Sequence, residues 1–316
     1  MVTQNYLTTY VGKRVMITGH TGFKGSWLSF LLNEIGAEVL GYSLAPTESV
    51  NHFDLLGLAS SMNHVEADIR DLTKLSKVMA DFQPEFVFHL AAQALVRPSY
   101  DDPRSTFDTN IMGSVNLLEA VRDCESVRSL VYITSDKCYE NVEWVWGYRE
   151  NDRLGGADPY SASKAAAEII FSSYARSFFE NRPSLGAAST RAGNVIGGGD
   201  WAVDRIIPDC IKAIMAGEAI HLRNPIATRP WQHVLEPLSG YLLLAARLSE
   251  APHEFSGSWN FGPSASTSLT VSDVAQRLVK HFGKGSVTHD ENVNHYHEAQ
   301  LLQLNCDKAH NLLKWQ

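Results

Sequence analysis

The chain has little of what would place it outside a reducing, aqueous compartment. It carries only four cysteines in 316 residues, Cys124, Cys138, Cys210 and Cys306, and no two form a CxxC pair. That spread excludes a disulfide framework and a zinc ribbon, suits a reducing cytosol and gives no reason to expect a metal. No apolar run approaches about 18 residues, so no membrane-spanning helix is expected. The first residues lack the apolar core of a secretion signal. Basic tracts are absent too: Lys and Arg number 27 against 35 Asp and Glu, for a net charge of −8. Nucleic acid and anionic membrane are therefore not expected as partners. There is no internal repeat and no low-complexity linker. What remains is 44% hydrophobic and 20% charged. That is ordinary globular composition, long enough for two lobes or one large domain.

The most informative stretch is residues 13–32, KRVMITGHTGFKGSWLSFLL. Residues 14–18 are β-prone and mostly apolar, as in a buried strand. Gly19, Gly22 and Gly25 follow at G-x-x-G-x-x-G spacing, and an apolar helical run begins behind them. Glycines let backbone N–H groups approach a pyrophosphate, and a helix N-terminus adds partial positive charge. Without the strand before and the helix after, they would mark only an ordinary turn. In this setting Thr21, Phe23 and Lys24 join the three glycines as candidate cofactor-binding residues.

The alternation continues. Residues 38–42 read as a second strand, ending at Tyr42-Ser43-Leu44 without the acid that often binds an adenosine ribose. No Lys or Arg occurs from 41 to 54, so nothing there awaits a 2′-phosphate. NAD is favoured over NADP, with Ser43 as a candidate ribose partner. A third strand, 64–67, ends at Asp68-Ile69-Arg70-Asp71, where Asp68 or Asp71 can cap a helix from Leu72. The apolar run 86–90 has the character of a parallel strand buried on both faces. The small residues Ala91 and Ala92 after it leave room for a ligand across the strand end. A helix over 104–124, a strand over 129–134, a helix from Asp158-Pro159 and a strand over 187–191 complete the series. This predicts an α/β fold with a doubly wound parallel Rossmann sheet and a smaller C-terminal substrate-binding lobe. The expected division is 1–192 for the Rossmann domain, with 234–262 returning to it, and 193–233 plus 263–316 for the lobe. Within the lobe, a helix is expected over 206–216; the returning segment carries a helix over 239–248 and a last strand over 258–261.

Tyr160 and Lys164 are spaced i, i+4 on one helix face. A nearby ammonium favours tyrosinate, which a base at neutral pH requires. Ser135-Asp136-Lys137 closes the fifth strand, where an acid–base pair faces the ligand crevice. Lys137 must be neutral to act as a base. Asp136 opposes that, whereas burial, Lys164 and a cationic cofactor favour it. Arg205, Arg223 and Arg229 form a guanidinium cluster suited to a diphosphate, with Asn194 and His297 as further donors. Trp144, Trp146 and Tyr148 form an aromatic loop that could cover a sugar, stack on a base, or pack two lobes together.

These motifs resemble the extended short-chain dehydrogenase/reductase family of NAD-dependent sugar-nucleotide enzymes. Within it they look closest to the CDP-D-glucose 4,6-dehydratase branch. The resemblance rests on GHTGFKGSWL, on TSDKCYENVEWVWGYRENDRLGGADPYSASK from Thr134 to Lys164, on RAGNVIGGGDW and on RPWQHVLEPLSGY, which together span nearly the whole chain. It implies that Ser135, Tyr160 and Lys164 form a catalytic trio, and that Asp136 and Lys137 remove water. It implies adenine contacts at Asp68 and Ile69, and cofactor contacts at Ala91, Ala92, Thr109 and Thr134, with Tyr160 and Lys164 shared. Gln93 and Val96 would line the sugar. Arg97 stands where related dTDP-glucose enzymes carry an acid. The implied activity is a lyase reaction on CDP-D-glucose through transient oxidation at carbon 4 by bound NAD, serving deoxysugar and O-antigen synthesis. The implied assembly is a homodimer or homotetramer paired through two helices, near 110–124 and 159–179. A nucleotide-sugar 4-epimerase is the nearest alternative on this scaffold, and a silent NAD-binding regulator is the alternative from another class.

Overall fold

The computed structural model describes residues 6–263, 269–289 and 301–316. Strand β1 (Arg14–Thr18) passes through the glycine turn into helix α1 (Phe23–Ile35). The strand–helix unit then repeats: β2 (Glu38–Ser43), the short α2 (His52–Leu55), β3 (Asn63–Glu66), α3 (Leu72–Phe82) and β4 (Phe86–His89). After β4 come α4 (Val96–Asp101), α5 (Pro103–Phe107), α6 (Gly113–Asp123), β5 (Ser129–Ile133), α7 (Pro159–Tyr174) and β6 (Gly186–Ala192). Short strands β7 (Val195–Ile196), β8 (Ile220–Leu222), β9 (Thr228–Arg229) and β10 (Gln232–His233) follow, with α8 (Ile206–Ala216) between β7 and β8. Then come α9 (Leu235–Glu250), α10 (Pro252–Phe255), β11 (Gly257–Phe261), β12 (Leu269–Thr270), α11 (Val271–Phe282) and β13 (Val287–His289).

Seven strands make one parallel sheet in the order β11-β6-β5-β4-β1-β2-β3. Strand order reverses between β1 and β4, which opens a crevice at their carboxyl ends. Both faces are covered, so strands such as β4 and β5 are buried at every position. One core lies under α1 and α9 and includes Phe88, Tyr241 and Trp259; the other lies under α3, α6 and α7 and includes Met79, Leu117 and Phe171. This is the expected doubly wound α/β fold. The last sheet strand is β11, in register with β6 from Gly257↔Ala188 to Phe261↔Ala192.

A separate small core of Cys210, Ile214, Ile220, Leu222 and Ala275 joins α8, β8 and α11, and β13 pairs with β8. Residues 301–316 depart from the expected division. Leu302, Leu304, Ala309, Leu313 and Trp315 pack in the main core, and Trp315 meets Phe261 edge-on at 5.1 Å. A second difference concerns the helix expected over 104–124. It is broken by a π-helical stretch, Asp108–Met112, between α5 and α6. Such wide turns form where a side chain is needed elsewhere than a regular helix would put it. All four cysteines are free and buried. Among the described residues no helix is long and apolar enough to cross a membrane.

Gly240 shows how closely α9 sits on the last strand: a Cβ there would overlap the buried ring of Phe261. Gly240→Ala should therefore destabilise the protein by about 1–3 kcal/mol through overpacking. Urea unfolding reads this directly; an unchanged midpoint would mean that α9 can shift off the sheet freely.

Candidate active site

A cleft of about 1880 Å³ runs along the carboxyl ends of β1, β2, β4 and β5 and on to α8 and β8. Its floor is the glycine turn. Gly19 has φ +75°, and a Cβ there would lie 2.7 Å from the backbone nitrogen of Ala91. At Gly25 a Cβ would strike the carbonyl of Gly19. Gly22 differs. It caps α1, with no side-chain hydrogen bond completing the cap, and a Cβ there would meet only the Gly19 carbonyl, at 3.4 Å. Packing within the protein therefore leaves Gly22 free to vary, whereas a group seated on the cleft floor would not. The uncapped start of α1 gives that floor its partial positive charge. Thr21 Oγ1 pairs with Ser43 Oγ at 2.9 Å and donates to the Leu44 carbonyl. Below the turn, His20 Nε2 and His64 Nδ1 share a 2.7 Å hydrogen bond, in space left open by Gly41. Burial first, and His64 next, push His20 down to about 3.

At the β2–β3 end of the cleft stand Ser43, Asp68 and the buried Ile69. Asp71 caps α3 by accepting from Lys74 N. Asp68 is instead gripped by Arg70, at 2.6 Å, and Arg70 reaches Asp108 at 3.3 Å. This arginine lies beyond the 41–54 window but lines the same end of the cleft, and its charge is met by two carboxylates. Ala91, Ala92, Thr109 and Val96 all line the cleft. Gln93 lines it as well, but its amide is committed within the protein. Its nitrogen donates to the Leu95 carbonyl and to Thr106, and its oxygen accepts from Leu95 N. Asn110 exchanges hydrogen bonds with the Gln93 backbone and donates to Ser163, which accounts for an asparagine buried inside a helix.

The fifth strand delivers Thr134, Ser135, Asp136 and Lys137, with Asp136–Cys138 in a single 3-10 turn. Helix α7, capped by Asp158 and opened by Pro159, presents Tyr160 and Lys164. All five expected catalytic residues line one cleft. Ser135 Oγ donates to Asp136 Oδ1 at 3.0 Å. Asp136 Oδ2 is buried and has no hydrogen-bond partner among the described residues. The absence of a side chain at Gly193 leaves room beside it: a Cβ there would be 3.0 Å from that oxygen. Burial pushes Lys164 down to about 8, against the pull of Glu168 and Cys138. Lys24 also falls to about 8, first through burial and then through Arg205, with Asp136 opposing. Tyr160 runs opposite to the sequence expectation. Burial carries it up to about 12, outweighing its hydrogen bond with Ser135, because loss of water disfavours the phenolate more than nearby donors favour it.

The three expected arginines, Arg205, Arg223 and Arg229, all line the cleft. Arg205 lines the cleft but is paired with Asp200 at 2.8 Å. Arg223 and Arg97 both reach Asp204, at 2.5 and 3.5 Å. Arg229 and Asn194 line the cleft, while His297 lies outside the described residues. The aromatic loop turns away. Trp144 and Trp146 border a separate hollow with Arg149 and Asn305, and Tyr148 is buried against Tyr139.

Comparison with known proteins decides the lineage. The family described as GDP-mannose 4,6 dehydratase matches residues 16–316. The chain belongs to this family. Among curated relatives, the CDP-glucose 4,6-dehydratase of Salmonella typhimurium is 49% identical over the whole of this chain and 88% of its own length. The dTDP-glucose 4,6-dehydratase of Streptomyces venezuelae superposes with a TM-score of 0.81 at 22% identity, covering 96% of this chain and 91% of that one. An epimerase from Methanothermobacter thermautotrophicus gives a TM-score of 0.83 at 23% identity, covering 99% of this chain and 89% of that one. The structural likenesses establish the dehydratase/epimerase fold. They do not choose between the two chemistries.

Sequence reasoning missed the carboxylates of Asp200 and Asp204, which nothing in the spacing of the arginines announces. It also missed Glu168 and Arg191, although a charge inside the apolar strand 187–192 was a signal. Lys164 sits 7% exposed at a cost to the fold. Below pH 8 both folded and unfolded lysines are protonated, and the folded state carries the full penalty. Between about pH 8 and 10.5 only the unfolded lysine keeps its proton, so the penalty fades as pH rises. Lys164→Met should thus gain roughly 1–3 kcal/mol of stability at neutral pH and lose that gain above pH 8. Urea midpoints at two pH values test it; a gain that grows with pH contradicts it.

Proposed function

We propose that this chain removes water from CDP-D-glucose to give CDP-4-keto-6-deoxy-D-glucose, with NAD as its resident cofactor. The observation that carries the reading is Asp136. Its buried, unpartnered oxygen shares one cleft with Tyr160 and Lys164, in a chain that is 49% identical to a CDP-glucose 4,6-dehydratase. An oxidation needs only the trio, whereas loss of water needs a further proton donor.

The residues present fit a dinucleotide. Gly19, Gly22 and Gly25, with the start of α1, suit the pyrophosphate. Thr21, Phe23, Lys24, Ser43, Asp68, Ile69, Ala91, Ala92, Thr109 and Thr134 complete the proposed cofactor wall. With Arg70 held by Asp68 and Asp108, the ribose end favours NAD over NADP. When bound, NAD supplies the hydride acceptor at carbon 4 and the donor at carbon 6. Tyr160 takes the carbon 4 hydroxyl proton, and Ser135 holds that oxygen. A positive charge beside the phenol is what brings Tyr160 down from about 12 into a useful range. The carbonyl formed at carbon 4 acidifies the carbon 5 proton. Lys137 removes that proton while Asp136 protonates the carbon 6 hydroxyl, which leaves as water. As carbon 6 receives hydride, carbon 5 regains a proton from Lys137, exchanged with solvent, so there is no net redox change.

Arg205, Arg223, Arg229, Asn194 and His297 are proposed for the diphosphate and nucleotide, and Gln93 and Val96 for the sugar face. Asp200 and Asp204 hold two of these forks ready in the cleft. The α8–β8–α11–β13 unit would form the substrate lobe. Phe107, Met112, Ile169 and Phe178 are exposed on α5, on the 108–112 turn, on α7 and on a second π-helical turn, Ala175–Phe179, that follows it. They support pairing of this helical face between two copies in a homodimer, or a homotetramer built from it. A cytoplasmic location and a place in deoxysugar and O-antigen synthesis complete the reading.

Mass spectrometry of sugar nucleotides after incubation with CDP-glucose tests the reaction. Loss of one water is expected; an isomer of unchanged mass would favour a 4-epimerase. Asp136→Asn should lower product formation by roughly 10²–10⁴-fold. It should also accumulate a 4-keto nucleotide that still carries its 6-hydroxyl. Undiminished product formation in that variant would remove Asp136 from the reaction.

A further inference from the structure

Glu168 and Arg191 form an ion pair at 2.8 Å whose side chains are 1% and 3% exposed. Glu168 Oε2 also accepts from Ser189 Oγ at 2.8 Å, and its Oε1 accepts from Thr134 Oγ1 at 2.5 Å. Arg191 donates from Nη1 to the Tyr139 hydroxyl at 2.8 Å, and its guanidinium lies 4.9 Å from the centre of the Tyr139 ring. The Tyr139 hydroxyl in turn donates to Asn260 Oδ1 at 2.8 Å. Thr134 and Tyr139 bracket the turn that carries Asp136 and Lys137. The acid of the pair thus grips the turn at its start, and the base grips it at its end. Glu168 also stands on α7, one helical step of four residues beyond Lys164 and two beyond Tyr160.

Deep ion pairs are poor sources of stability, since apolar replacements often serve as well or better. What this pair supplies is register between two elements. We propose that Glu168 and Arg191 are positioning residues: they hold the Asp136–Lys137 turn at a fixed offset from Tyr160 and Lys164, so that water loss follows oxidation without the sugar moving. The inference rests on the dehydration reading above and adds to it a residue pair that touches neither substrate nor cofactor.

Removing either member of the pair would strand a buried charge and risk the fold. The test therefore cuts the grip at the end of the turn. Tyr139→Phe removes the hydroxyl that joins Arg191 to Asn260 and leaves the proposed cofactor wall untouched. Rapid quench with CDP-glucose, followed by mass spectrometry, separates keto-sugar formation from water loss. Tyr139→Phe should slow water loss roughly 10–100-fold, the scale of a small misplacement of reacting groups. Keto-sugar formation and KM should stay within about twofold of wild type, so the 6-hydroxylated keto nucleotide builds up. Equal slowing of both steps, a rise in KM alone, or unimpaired water loss would each overturn the proposal. A wild-type enzyme that makes no product from CDP-glucose sinks the functional reading and this inference together. Normal wild-type turnover with an unaffected Tyr139→Phe variant sinks the inference alone.

Discussion

The site depends on one close approach of backbone to backbone. Gly19, in the left-handed region, lies so near Ala91 that no side chain fits between β1's turn and the end of β4. That contact spans the point where the sheet reverses its strand order. It sets the start of α1 over the crevice and aligns the cofactor floor with the segment 91–93. Asn110 then clamps that segment to α7 through Ser163. A glycine turn, a switch point and helix α7 are thereby one connected structure.

The cleft concentrates charge in a poorly solvated place. Lys24 and Lys164 share the cleft with Asp136, Arg205 is paired there with Asp200, and both lysines fall to about 8 as a result of burial. Tyr160 rises for the same reason. The fold accepts these costs because the sheet beneath is packed on both faces by two large cores. A preorganised, partly desolvated site suits a reaction in which proton donors and acceptors must act in sequence on one sugar.

Much of this was legible in the sequence. Strands β1 to β6 fall within one residue of the positions read from apolar runs, because parallel strands buried on both faces carry a strong local signal. The cap at Asp158 was legible from side-chain chemistry alone, whereas for α3 that chemistry offered Asp68 or Asp71, and Asp71 takes the place. What escaped depends on partners distant in the chain. The π-helical turn at 108–112 accompanies bonds from Asn110 to residues 93 and 163. The tail 301–316 joins the main core through Trp315 and Leu304, which no local pattern specifies. The arginines were read as forks for a diphosphate, and the partners of two of them, Asp200 for Arg205 and Asp204 for Arg223, come from loop geometry. The 144–148 loop left sugar cover, base stacking and packing all open, and the stack of Tyr148 on Tyr139 accompanies a hollow of its own at Trp144 and Trp146.

The central claim is that one cleft both oxidises carbon 4 and expels water from carbon 6. The fate of a label at carbon 4 tests this most directly. With CDP-glucose deuterated at carbon 4, in ordinary water, the account predicts a dehydrated product carrying the deuterium at carbon 6, with a solvent proton at carbon 5. Deuterium returned to carbon 4 of an undehydrated, inverted sugar would contradict it.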